Sequence, residues 1–203
     1  MLPRITPLRL GIAQEPFDHP AWLFELKYDG WRALAYLEDG KVQLTSRKGR
    51  VYQRFDGLCS ELAGAVRAND AILDGEIVCF DQDGRPQFNQ LLYRRAAPSF
   101  VAFDVCWLKG TDYRAQPLLT RKSILSQIIP RGSDCILRAD HVLERGVDLF
   151  RLACERDLEG VVAKLGQAPY QELHGRPTWL KIRNPKYTQN AGRGEQFQRR
   201  LGR

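Results

Sequence analysis

The sequence predicts an α+β fold whose frame is antiparallel sheet. Two observations carry that prediction. Short runs of alternating apolar and polar residues are separated by Asp-Gly dipeptides, and such a dipeptide is a strong hairpin signal because glycine accepts the positive φ of tight turns. Separately, apolar residues recur at helical spacing over 55–68 and in two stretches of the second half. With 203 residues, 43% hydrophobic and 27% charged, the chain has the length and composition of a globular protein with a sizeable core.

Residues 1–20 carry four prolines and read as an extended lead-in with one strand near 8–12. Trp22, Phe24, Leu26 and Tyr28 then alternate with Leu23, Glu25 and Lys27, which predicts a strand ending at Asp29-Gly30. Period-two geometry puts Glu25 and Lys27 on one face, one pleat apart. Lys27 is open to two readings at this point: a covalent nucleophile, or a salt-bridged hairpin lysine. Asp29-Gly30 turns the chain into a strand over 31–38, and Asp39-Gly40 into another over 41–46, so this region reads as a three-stranded antiparallel meander. Ser46-Arg47-Lys48-Gly49 closes it as a polar turn, and a helix follows over 55–68 with Asp56 as its N-cap.

Residues 71–80 form a strongly apolar strand interrupted by Asp74-Gly75-Glu76. Unpaired acids inside a buried strand are costly, so either they sit at a pocket mouth or Gly75 makes a bulge. Asp83-Gly84 is a turn, and 88–95 a short helix. Over 100–108 the alternation puts Val101, Phe103, Val105 and Trp107 on one face and Asp104 on the other. Helices over 117–129 and 144–156 flank a strand at 134–138. Glu159 to Lys164 is a β-branched strand with a charge at each end, and 169–177 is loop. Residues 179–183 alternate again, placing Lys181 and Arg183 on one face and Leu180 and Ile182 on the other. From Asn184 the chain turns polar and basic, a helix or tail.

The totals narrow the function. No stretch approaches the apolar length of a membrane span, so no membrane partner is expected. Five cysteines stand singly without metal-ligand spacing, which argues against structural zinc and for reduced thiols in the cytoplasm. A net charge of +7, a pI near 9.3 and a surplus of arginine over lysine suit phosphate recognition, although a merely basic surface has the same balance.

Six stretches now stand in order: Lys27-Tyr28-Asp29-Gly30 with Arg32, Ser46-Arg47-Lys48-Gly49, Asp74-Gly75-Glu76, Phe103-Asp104, Glu159-Gly160 through Lys164, and Lys181 with Arg183. Together they resemble the adenylation domain of ATP-dependent DNA ligases, most of all the ligase module of bacterial ligase D proteins and their stand-alone relatives. The resemblance runs from about Pro16 to Tyr187. It implies a covalent nucleotidyltransferase (ATP-grasp-like) fold: two mainly antiparallel sheets flanked by helices, with the nucleotide pocket between them.

The resemblance also implies roles. Lys27 matches the lysine that attacks the α-phosphorus of ATP to give a lysyl-AMP. An attacking lysine must first lose its proton, which neighbouring cations (here Lys164, Lys181 and a metal) would favour. Glu25 matches the residue that accepts from the adenine amino group, Arg32 and Glu76 those that hold the ribose, and Phe103 the aromatic that stacks on adenine. Lys164, Lys181 and Arg183 match phosphate-contacting positions, and Arg47 a residue that meets the phosphate of AMP or of the nicked strand. Glu159, with Glu76, is the implied ligand set for Mg2+ or Mn2+.

The implied partner is nicked duplex DNA. Lys48 and Arg183 depart from the family's usual residues but keep a donor. Residues 1–188 are expected to form the adenylation domain and 189–203 a basic tail, with no OB-fold domain, so a protein partner supplying an OB-fold or DNA-binding domain is a further expectation. Two alternatives stay open: an RNA ligase or capping-type nucleotidyltransferase, and a non-joining nucleotide- or DNA-binding module.

Overall fold

The computed structural model describes residues 1–190. In chain order the elements are β1 (Gly11–Ile12), β2 (His19–Leu26), β3 (Trp31–Glu38), β4 (Lys41–Ser46), α1 (Asp56–Ala65), β5 (Asp70–Val78), α2 (Phe88–Tyr93), β6 (Ser99–Leu108), β7 (Thr111–Asp112), α3 (Leu118–Ile128), β8 (Ile136–Arg138), β9 (His141–Glu144), α4 (Gly146–Glu155), β10 (Gly160–Leu165) and β11 (Trp179–Arg183). They build two sheets, one in the order β1-β11-β10-β2-β9, the other β4-β3-β5-β6-β7 with β8 on β6. Only the β1–β11 and β6–β8 pairs are parallel.

Three apolar layers follow from the alternation within these strands. Phe24, Val161, Ala163 and Ile182 face α4, where Ala153, Leu149 and Phe150 cover them. Ala33, Leu73, Ala102 and Val105 face α1, α2 and α3 through Leu58, Leu62, Leu91, Leu125 and Ile128. Between the sheets lie Leu23, Val162 and Trp179 from the first and Leu34, Ile72 and Cys106 from the second, with Leu8 and Tyr170. The strands that face this middle layer carry the residues of the site.

The expected meander is corrected. β2 and β3 do not pair: β2 lies between β10 and β9, and β3 between β4 and β5, so Asp29-Gly30 is a crossing from one sheet to the other. The reason is local. A Cβ on Gly30 would stand 2.1 Å from the Ile77 carbonyl oxygen, so this glycine serves a close approach of backbones. Asp29 is buried and accepts from the Tyr187 hydroxyl at 2.7 Å. Asp39-Gly40, by contrast, is the two-residue hairpin turn expected, with φ of 51° and 74°.

Other expectations shift. Asp56 does not cap α1: the chain enters through a 3₁₀ turn over Gln53–Phe55, which leaves Asp56 in the helix's first turn. The strand through Asp74-Gly75-Glu76 is unbroken, and the register slip beside Gly75 has its extra residue in the partner, at Phe103. A second slip leaves Cys106 unpaired. These bulges break the simple alternation of β6, so Val105 joins the outer core while Phe103 and Trp107 pack between the sheets. The two-residue β7 and the exposed edge strand β9 carry little periodic signal and were not expected; Glu144 ends β9, and α4 starts at Gly146.

All five cysteines are free, and among the described residues no helix is long and apolar enough to cross a membrane. Gln189, at the start of the expected tail, donates to the Pro86 carbonyl at 2.9 Å, and residues 191–203 lie outside the described part.

Candidate active site

A cavity of about 470 Å³ opens between the sheets. The first sheet contributes Glu25 and Lys27 from the end of β2, Lys164 from β10, and Lys181 and Arg183 from β11. The second contributes Arg32 from β3, Glu76 from β5 and Phe103 from β6, with Arg47 from the turn after β4. The fold therefore brings into one cavity every residue expected to contact nucleotide, although they come from six separated stretches. Glu159 does not line the cavity but lies against Lys27. Its Oε2 accepts from the Lys27 Nζ at 2.6 Å, and the Lys27 backbone N–H donates to the Gly160 carbonyl at 2.9 Å. The second of the two readings of Lys27 is thus half right: it is salt-bridged, but across 132 residues of sequence and inside a cavity.

Glu25 is 2% exposed and held by two cations. Lys164 donates to its Oε2 at 2.8 Å, and Lys122 of α3 pairs with its Oε1. Burial alone would push the Glu25 carboxyl up, but the two ammonium groups outweigh it and hold it below the ordinary value. Burial pushes Lys164 down to about 8, against the pull of Glu25. The Lys164 ammonium also lies 4.4 Å from the centroid of Phe103 and 3.9 Å from that of Trp179, a cation held over two aromatic faces.

Arg32 is clamped. Its Nε and Nη2 donate to the two oxygens of Asp74 at 3.0 and 2.6 Å, and its Nη1 to the Leu8 carbonyl at 2.9 Å. A guanidinium has five N–H donors, so some remain for a ligand after these bonds. Beside it the Glu76 carboxyl is pushed up to about 8 by burial, opposed by Lys27 and Arg32. Burial and the neighbouring Arg183, Lys27 and Arg47 push Lys181 down. That like-charge crowding marks the end of the cavity as a place for an anion.

Among the described residues, no three His, Cys, Asp or Glu side chains gather into a self-sufficient metal site. Glu159 lies close enough to Glu76 for its charge to help push the Glu76 carboxyl up. One or two carboxylates completed by phosphate oxygens is how Mg2+ is commonly held, so this pair suits an ion that arrives with a nucleotide.

Several contributors were not expected from the sequence: Lys122 behind Glu25, Trp179 under Lys164, Tyr170 behind Asp74, and Leu8 to Leu10 of the lead-in; Asp74, expected at a pocket mouth or beside a bulge, is buried and clamps Arg32. For Lys122 a signal existed. The buried positions of α3 are Leu118, Arg121, Lys122, Leu125 and Ile128, so two charges occupy the apolar stripe of a helix.

Residues 9–183 match the family model of the ATP dependent DNA ligase domain. The chain is 30% identical over 200 residues to the SPbeta prophage-derived DNA ligase-like protein LigB of Bacillus subtilis (strain 168), covering 91% of this chain and 69% of that protein. It is 31% identical over 166 residues to the multifunctional non-homologous end joining protein LigD of Mycolicibacterium smegmatis, covering 79% of this chain and 21% of that protein. Among solved structures it is similar to a mycobacterial DNA ligase D complexed with ATP and MES, with a TM-score of 0.71 and 26% identity over 88% of this chain and 60% of that one. The chain thus spans about two thirds of the first relative's length and about a fifth of the second's.

Proposed function

Because the chain belongs to the family of ATP dependent DNA ligase domains, we propose that it is a ligase's adenylating module, with Lys27 as nucleophile. The observation that carries the proposal is that Lys27 shares one cavity with a buried acceptor, an aromatic face and a cluster of cations.

In the first step the Lys27 Nζ attacks the α-phosphorus of ATP. A P–N bond forms, the P–O bond to the β-phosphate breaks, pyrophosphate leaves and the amine loses a proton. In the second, a 5′-phosphate oxygen at a DNA nick attacks the same phosphorus and the P–N bond breaks, returning the proton to Lys27. In the third, the 3′-hydroxyl oxygen attacks the phosphorus of the adenylated 5′-phosphate: a P–O bond forms, the P–O bond to AMP breaks, AMP leaves and the hydroxyl proton passes to solvent. Phe103 offers its face to adenine, and Glu25 accepts from the adenine amino group. Arg32 and Glu76 meet the ribose hydroxyls, Arg32 with the donors that Asp74 and Leu8 leave over. Arg47, Lys164, Lys181 and Arg183 supply donors and positive charge to the phosphates, the main task in phosphoryl-type transfer. Glu159 and Glu76 would hold Mg2+ or Mn2+, which supplies charge screening for the phosphates.

Glu159 holds Lys27 as its ion partner, which fixes the Nζ at the cavity wall. Attack requires that pair to part. Joining then depends on DNA-orienting elements such as an OB-fold, supplied by a partner protein or by further sequence.

The test is incubation with α-labelled ATP and Mg2+ or Mn2+, resolved on a denaturing gel, followed by a chase with nicked DNA, RNA and hybrid duplexes. Wild type acquires label and passes it to the 5′-phosphate of nicked DNA. If Lys27→Ala labels as well as wild type, Lys27 is not the nucleophile. Transfer to RNA alone would shift the acceptor to RNA.

A further inference from the structure

Lys122 is 6% exposed, comes from a helix outside the sheets, and is absent from the cavity wall. It nevertheless reaches Glu25, pairing with its Oε1 while also donating to the Ala139 carbonyl at 3.3 Å. The opposite oxygen of Glu25 accepts from Lys164. Two other titratable groups interact with Glu25: His141, its register partner on β9, and Tyr28 just past β2. Burial pushes His141 down and Tyr28 up to about 12, directions that disfavour charge on either, so among the described residues the two lysines are the cations paired with the carboxylate.

These two lysines are not equivalent. Lys164 lines the cavity, so arriving phosphates compete with Glu25 for its ammonium. Lys122 does not line the cavity, and it holds the carboxylate oxygen opposite the one that Lys164 holds. Once a nucleotide draws on Lys164, Lys122 is the cation that keeps a nearly inaccessible carboxylate ionised.

Ionisation decides what Glu25 can recognise. An ionised carboxylate only accepts hydrogen bonds, whereas a protonated one also donates through its O–H. Adenine presents an amino donor at its six position and guanine presents a carbonyl acceptor there. An ionised Glu25 pairs with the first and repels the second; a protonated Glu25 accommodates both.

We propose that Lys122 is a positioning residue that sets the base specificity of the site, by holding Glu25 as an obligate acceptor toward the adenine amino group. This rests on the reading that the site takes ATP with Glu25 facing the base. It gives a charge inside the stripe of α3 a task that packing does not require.

The experiment measures covalent labelling of the full chain by α-labelled ATP and, separately, α-labelled GTP, as the ratio of the two kcat/KM values. Wild type, Lys122→Met, Lys122→Gln and Lys122→Arg are compared, with thermal melting as the folding control. Lys122→Met and Lys122→Gln lower the ATP-to-GTP ratio by about tenfold or more, chiefly because GTP becomes a better substrate, while Lys122→Arg keeps the wild-type ratio. Should Lys122→Met fail to fold, the Gln and Arg variants decide by the same criterion. If ATP and GTP labelling fall in parallel, so that the ratio holds in the uncharged variants, Lys122 is only structural and the proposal is overturned. If wild type takes no label from ATP, the underlying assignment of the site fails, an outcome distinct from an unchanged ratio in an active enzyme.

Discussion

Glu76 is the residue whose chemistry most constrains how the site behaves with pH. Its folded-state carboxyl is pushed up to about 8, from an ordinary value of 4.5, by burial that Lys27 and Arg32 only partly offset. Between those values the folded chain holds a proton that the unfolded chain has released. By linkage, stability falls as pH rises from about 4.5 toward about 8, then levels off above the folded value. Glu76→Gln removes this dependence. The variant's melting temperature is expected to gain on wild type as pH rises from about 5 to about 8.5. Melting curves at several pH values, taken on both proteins, check it; a difference that stays constant with pH would remove Glu76 as the source. The same variant weakens ATP binding, since the ribose and the metal both draw on that carboxyl in the proposed function. Gained stability with lost binding is the signature of a group held in an unfavourable state for its task.

At the scale of elements, two identical dipeptides have opposite meanings. Asp39-Gly40 is a hairpin turn with a positive φ at both residues and open space around the glycine. Gly40→Ala is therefore expected to cost only about 1 kcal/mol, the strain of a side chain in the left-handed region. Gly30 is pressed against the Ile77 carbonyl, where a Cβ would sit 2.1 Å from oxygen, so Gly30→Ala forces the backbones of β3 and β5 apart. It is expected to cost more than about 2 kcal/mol and to depress labelling, because Lys27 lies just before the crossing. Urea denaturation of the two variants tests the contrast, and equal costs would contradict it. This pair also shows what local pattern can and cannot tell. The alternation that put Glu25 with Lys27, and Lys181 with Arg183, holds because β10 pairs with both strands without slips, and the one slip of β2, against β9, lies before Leu23. The pairing partner of β2 is not written in its flanks: β10 and β9 come more than a hundred residues later and are chosen by packing. The faces of β6 were misjudged because two bulges shift its register, and nothing in residues 100–108 announces an unpaired Cys106 or Phe103. The candidate site was legible because its residues stand in short distinctive stretches of the sequence; Lys122 and Tyr170 reach it only through tertiary contacts.

At the scale of the whole molecule, the cavity exists only while the two sheets keep their spacing. Its acceptor, nucleophile and three of its cations come from one sheet, and Arg32, Glu76 and Phe103 from the other. A buried polar network spans the gap. Arg121 of α3 makes a bidentate pair with Asp104 of β6 at 2.8 Å and also donates to the Ala168 carbonyl, in the segment that joins β10 to β11. Tyr170, from that same segment, donates to Asp74 of β5, which in turn clamps Arg32 against the lead-in at Leu8. Both Asp104 and Arg121 side chains are wholly buried, so removing one strands the other's charge away from water, a loss of about 3–5 kcal/mol. Replacing both with apolar residues of similar size removes the pair and the stranded charge together. In urea denaturation, Asp104→Leu and Arg121→Met are each expected to be strongly destabilising, and the double variant to be more stable than their sum by about 2 kcal/mol or more. Additive costs would mean that the two groups do not act as a pair. The double variant separates stability from function as well. It keeps the fold but loses the tie from α3 through β6 to the β10–β11 segment, so its KM for ATP in the labelling assay is expected to rise even where its melting temperature has recovered. A recovered melting temperature with an unchanged KM would show that packing alone holds the sheets at the spacing the nucleotide needs.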